Sequence, residues 1–170
     1  MKQILFLFIV ALIAGVVYFI TKKSASKIIP TFLLFGIGFF IAMVVPLSVS
    51  TIAMVDKVIL NIAPAMFFLY GIDLDLKKLL KNAIGCSCKM GAKRYWLFVV
   101  MSFVISFITQ LIAYNIEQLP IVVSSCVLSG IIGFFVGRTK IKEINGSEDI
   151  ATSMLYLLAI FVGMKLSLVI

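Results

Sequence analysis

The chain has 170 residues, of which 63% are hydrophobic and 13% charged, with a formal net charge of +8 and no histidine. So little polar surface excludes a soluble domain of this size, and the lack of histidine excludes the commonest zinc site and any Ser-His or Cys-His nucleophilic pair. The positive charges sit in short stretches between apolar runs, which is the positive-inside pattern of membrane topology and requires no nucleic-acid partner.

Continuous apolar runs without period-two alternation predict helices rather than a barrel. The first predicted span covers residues 4–20. It follows Lys2, runs straight into Lys22, Lys23 and Lys27, and is too long for a typical cleaved signal core, so it is expected to remain uncleaved. The second and third spans, 28–47 and 52–72, are divided only by a turn signal at Pro46, Ser48, Ser50 and Thr51. Without that turn they merge, leaving five spans rather than six.

The third span carries the most informative segment, Asn61-Ile62-Ala63-Pro64-Ala65-Met66. Proline removes one backbone hydrogen bond and crowds the carbonyl four residues back, so a kink is predicted whose freed polar groups can face a cavity. Asp56 and Lys57 lie about a turn inside the outer end of the same span. Asn61, Pro64 and Asp56 are therefore the candidate substrate- or ion-binding residues. The alternative for the same residues is a packing kink with Asn61 bonded to a neighbouring helix and a solvated charge pair at the interface.

The loop 73–94 follows. Leu74, Leu76, Leu79 and Leu80, interleaved with Lys77, Lys78 and Lys81, fit a short amphipathic helix on the inner leaflet, its lysines toward lipid phosphates. Cys86 and Cys88 fall in the same loop as reduced thiols, too few for a metal site. The fourth span, 95–114, holds Gln110, with Asn115 just beyond it. The fifth, 121–136, is rich in small residues: Ser124, Ser125, Ser129, Gly130 and Gly133, with Gly137 just after it. Gly130, Gly133 and Gly137 are expected to let helices approach closely, in the bundle or in a dimer. The sixth, 150–170, contains Lys165 and follows a polar loop, 137–149, with an Asn145-Gly146 turn and Ser147 as a helix cap.

The fold expected is thus all-α: one polytopic membrane domain, 1–170, with about six transmembrane helices. Loops 21–27, 73–94 and 137–149 hold twelve of the fifteen basic residues. Six crossings with both termini outside put all three loops in the cytoplasm of a cell-membrane protein.

Tyr70-Gly71-Ile72-Asp73 resembles part of the motif of intramembrane aspartyl proteases, but the second glycine is missing and no second carboxylate stands in a matching motif. No nucleotide-binding loop occurs either. No enzyme activity, cofactor or metal is expected.

Residues 28–81 resemble part of the bile acid:sodium symporter and auxin-efflux-carrier type of membrane transporter. The likeness rests on the proline-containing helix at Asn61 to Met66, the Gly71-Ile72-Asp73-Leu74 turn and the basic stretch from Lys77 to Lys81. It implies two inverted repeats of about five helices, with substrate and ion bound where interrupted helices cross. At about half the family's usual length, this chain would be one repeat that needs a second copy or another membrane subunit.

The function expected is a small carrier, or half-size carrier subunit, for a small solute, with the lipid bilayer and a homodimer mate or second membrane subunit as partners. Two alternatives stand beside it. One is a substrate-capture subunit of a multi-component transporter; the other is a non-transporting membrane assembly or immunity protein whose function lies in its helix contacts.

Overall fold

The structure, a computed structural model, describes residues 2–21, 28–45, 47–73, 92–115, 120–138 and 147–167. Six helices run through these residues: α1 (Lys2–Thr21), α2 (Ile28–Val44), α3 (Val49–Asp73), α4 (Ala92–Ala113), α5 (Ile121–Val136) and α6 (Ser147–Ser167). The protein is all-α, and every helix end falls within three residues of the span predicted from the apolar runs. The predicted inner-leaflet helix with Lys77, Lys78 and Lys81, the thiols Cys86 and Cys88, Pro46 and the Asn145-Gly146 turn lie outside the described residues.

The turn between α2 and α3 differs in register from expectation, and Ser48 is the cause. Its carbonyl accepts the backbone N–H groups of Thr51 and Ile52 at 2.9 and 3.0 Å, and its hydroxyl accepts the Thr51 N–H at 3.3 Å. The same hydroxyl bonds those of Ser50 at 3.0 Å and Thr51 at 2.8 Å. Ser48 thereby serves amide groups that a helix start otherwise leaves unpaired. The serines that interrupt the apolar run thus start the helix, and α3 begins at Val49 rather than at residue 52.

Three helices contain stretches long and apolar enough to cross a membrane: Val49–Ile72, Trp96–Ala113 and Asp149–Ser167. Leu5–Thr21, Ile28–Val44 and Ile121–Val136 are apolar but shorter.

The chain divides into two compact units. The first comprises Met1–Leu60 and Thr152–Ile170, the second Asn61–Ala151, so α3 and α6 each contribute to both. In the first unit, Val10 and Ala14 of α1, Leu34 of α2, Val55 of α3, and Tyr156, Ile160, Phe161 and Met164 of α6 form the core. Tyr156 is held there by its hydroxyl, 3.3 Å from that of Thr21, and by an edge contact with the Tyr18 ring. Helices α2 and α6 meet at glycines: a Cβ on Gly38 would strike the Ile160 backbone, and one on Gly163 the Phe35 backbone.

In the second unit α4 packs on α5, and the latter half of α3 lies against α5 through Gly71, Gly133 and Gly137. A Cβ on Gly71 would come within 2.5 Å of the Gly130 carbonyl oxygen, and one on Gly133 or Gly137 would collide with the carbonyl of Phe68 or Ile72. The buried side chains of this unit include Phe68, Leu69 and Phe98, but also the hydroxyls of Ser102, Ser106, Thr109, Ser125 and Ser129, each fully inaccessible. Large apolar side chains face outward instead, among them Phe19 at 82% exposure and Phe32 at 71% in the first unit, and Trp96 at 65% in the second.

Candidate functional site

Several polar side chains of the second unit meet in one place. Helix α4 carries Ser102, Ser106 and Gln110 at steps of four residues, with Thr109 three residues after Ser106, spacings that set each beside its neighbour on the helix surface. Opposite them stand Asn61 on α3, one turn before Pro64, and Ser129 on α5. Pro64 has no N–H to give the Leu60 carbonyl, yet α3 runs on as one helix from Val49 to Asp73 with Asn61 one turn before the proline. There the Ser106 hydroxyl donates to the Asn61 carbonyl at 2.8 Å, a side chain from another helix bonding the backbone of a proline-bearing one.

Proton bookkeeping fixes the rest. A serine hydroxyl has one hydrogen, and that of Ser106 goes to Asn61, so Ser106 must accept from its other neighbour. That neighbour is the Gln110 side-chain nitrogen at 3.1 Å, which also donates to the Asn61 side-chain oxygen at 3.3 Å. The amide of Gln110 thus presents its N–H side to the network. Thr109 behaves alike: its hydroxyl donates to the carbonyls of Ile105 and Ser106, both at 3.0 Å, and so accepts from the Ser129 hydroxyl at 2.9 Å. The result is a chain of neutral groups, buried at Ser106, Thr109 and Ser129 and partly exposed at Asn61 and Gln110.

Of the residues singled out in the sequence, Asn61, Pro64 and Gln110 come together here. Asp56 belongs to the first unit, where its carboxylate forms an ion pair with Lys165. With the two side chains about half exposed, 46% and 52%, such a pair contributes less than about 1 kcal/mol to stability. Asn115 donates to the Leu111 carbonyl at 3.1 Å and closes the end of α4. Gly133 and Gly137 lie hard against α3, whereas a Cβ on Gly130 would have its nearest neighbour, the Phe67 carbonyl oxygen, at 3.9 Å, an ordinary contact. Ser124 is buried on α5, and its hydroxyl has no hydrogen-bond partner among the described residues.

Ser102, Ser106 and Thr109 were not among the sequence candidates, nor was Gly71 as a contact residue. The signal for the hydroxyls was present as polar residues recurring at helical spacing inside an apolar run. Gly71 carried none, because its tight contact depends on which face of α5 it meets. A groove in the first unit, lined by Phe32, Phe35, Leu155, Leu158 and Val162 among others, is apolar and has no comparable hydrogen-bonding set.

The chain matches no family model, no curated protein and no solved structure.

Proposed function

We propose that this chain is a multi-pass membrane protein that binds a small polar solute at the Asn61–Ser106–Gln110 network and carries it as a half-size carrier or carrier subunit. Buried hydroxyls and outward-facing Phe, Ile and Leu side chains reverse the soluble pattern and suit lipid as the solvent. Six crossings with both termini outside and basic loops 21–27, 73–94 and 137–149 in the cytoplasm remain the arrangement that the lysine and arginine distribution favours. The 16 residues of α5 rise only about 24 Å, against a hydrocarbon core of about 30 Å, so this helix is accommodated by local thinning or by burial among its neighbours.

The observation that carries the solute reading is the meeting of Ser106 and Gln110 of α4 with Asn61 of the proline-bearing α3, next to the bond between Thr109 of α4 and Ser129 of α5. Polar residues within membrane helices are costly and mark solute paths more readily than lipid contact. The resemblance to one repeat of a two-repeat carrier fits this reading and makes a second copy, or another membrane subunit, the partner that completes the path.

The test is thermal unfolding of the protein in lipid nanodiscs with amino acids, vitamins, organic anions and nucleosides, with and without sodium. A solute at 100 times its dissociation constant stabilises by about 2.7 kcal/mol. A shift that Asn61→Ala removes supports the site, whereas no shift from any class rejects it.

The substrate-capture reading is favoured by one feature. Gln110 lies three residues, about 4.5 Å of helical rise, from the end of α4 that this topology turns outward, so the network opens near the outer surface. Co-purification with cytoplasmic ATPases and a coupling membrane protein would distinguish that role from independent transport.

A further inference from the structure

We propose that the first unit holds a phospholipid, with one acyl chain in the apolar groove between α2 and α6 and the phosphate on Lys165. This rests on the reading of the chain as a membrane protein and is independent of the solute site in the other unit.

Helices α2 and α6 approach closely where Gly163 faces the Phe35 backbone, and one turn earlier on α6 Ala159 lines a groove. The groove has a volume of about 230 Å³ and runs between Phe32 and Phe35 of α2 and Leu155, Leu158 and Val162 of α6. Thr31 is the only polar residue in its lining. A small-molecule site is larger, about 300–1,000 Å³, and carries a few convergent polar groups that fix orientation. This groove offers hydrocarbon to hydrocarbon, and Phe32 and Val162, at 71% and 40% exposure, leave it open to its surroundings.

What stands at the end of the groove identifies the occupant. On α6, Leu155, Leu158, Val162 and Lys165 recur at steps of three, four and three residues, which sets them in one stripe. From Leu155 to Lys165 the helix rises about 15 Å, half of a hydrocarbon core of about 30 Å. The stripe therefore spans the depth of one leaflet and finishes in an ammonium group. A phospholipid has the matching layout, an apolar chain of leaflet length that ends in a phosphate.

Lys165 can reach that phosphate. Its side chain is 52% exposed, and an ammonium has three hydrogens, of which one goes to the Asp56 carboxylate. Asp56 competes with a phosphate for Lys165 rather than assisting it. Lys57, the next residue on α3, is exposed and adds positive charge at the same end of that helix.

The experiment is native mass spectrometry of the full-length protein in detergent, with phosphatidylglycerol, phosphatidylethanolamine or the phosphate-free diacylglycerol of the same chains added in turn. The expected result is at least one retained phospholipid per chain and no retained diacylglycerol. Lys165→Gln should lower the ratio of phospholipid-bound to free protein about fivefold or more. Val162→Phe, which fills the groove from its exposed side, should do the same. Asp56→Asn breaks the same ion pair as Lys165→Gln but releases Lys165 to the phosphate, so it should keep or raise lipid retention. Unchanged retention in either Lys165→Gln or Val162→Phe, equal retention of diacylglycerol, or a loss in Asp56→Asn as large as in Lys165→Gln overturns the proposal. A lipid-free dimer that Val162→Phe splits overturns it as well and gives this face to a second copy. Each of these outcomes leaves the solute site of the other unit standing, whereas a chain recovered from cells without detergent removes the membrane reading and the lipid site together.

Discussion

Ser124 and Thr109 lie in the same unit, both buried, and their hydroxyls stand in opposite circumstances. That of Thr109 donates to two carbonyls of its own helix and accepts from Ser129, whereas that of Ser124 has no partner among the described residues. Removing a bonded hydroxyl leaves its partner unpaired; removing an unbonded one relieves a desolvated polar atom. Thr109→Val should therefore destabilise by about 0.6 kcal/mol, the usual worth of a hydrogen bond between membrane helices, and by no more than about 1.7 kcal/mol. Ser124→Ala should be neutral or stabilising. Unfolding of the two variants in the same detergent and lipid conditions separates them, and a larger loss for Ser124→Ala would place an unseen partner on its hydroxyl. Residue identity alone gave no basis for this ordering, because both are small hydroxyl residues in apolar runs, and only the faces that meet decide which is bonded.

Helix existence and extent were legible in the apolar runs, since a run of about 20 apolar residues has few other uses. Helix contacts were legible only in part. Gly130, Gly133 and Gly137 all fit the small-residue pattern, yet a helix turns 100° per residue and spacing does not say which members face the partner closely. Against α3, Gly133 and Gly137 have no room for a Cβ, whereas Gly130 does. Gly133→Ala should cost about 1–3 kcal/mol through overpacking against the Phe68 carbonyl. Gly130→Ala should be tolerated and can gain up to about 1 kcal/mol from the better helix propensity of alanine. Thermal unfolding of the two single variants checks the register directly: equal losses would mean that α3 and α5 meet in another rotation. In α2 the same contrast holds between Gly38, closed by Ile160, and Gly36, which has nothing within 4 Å.

For the molecule as a whole, orientation is the property that the sequence addresses and helix geometry does not, because a helix bundle packs identically whichever side of a bilayer it faces. Lysine and arginine counts argue for loops 21–27, 73–94 and 137–149 inside, and the chain's own cysteines provide the means to test it. Cys86 and Cys88 fall in the second of those loops, while Cys126 is buried in α5. A membrane-impermeant maleimide applied to intact cells should leave the wild-type protein unlabelled and should label it once the membrane is permeabilised. Ser50→Cys, at the exposed start of α3, adds a thiol at the opposite end of that helix from the 73–94 loop and should be labelled in intact cells. Labelling of the wild type without permeabilisation, with Ser50→Cys adding nothing, would invert the orientation. The Gln110 end of α4 would then face the cytoplasm, and the network would take up its solute from inside, as an exporter does rather than a capture subunit.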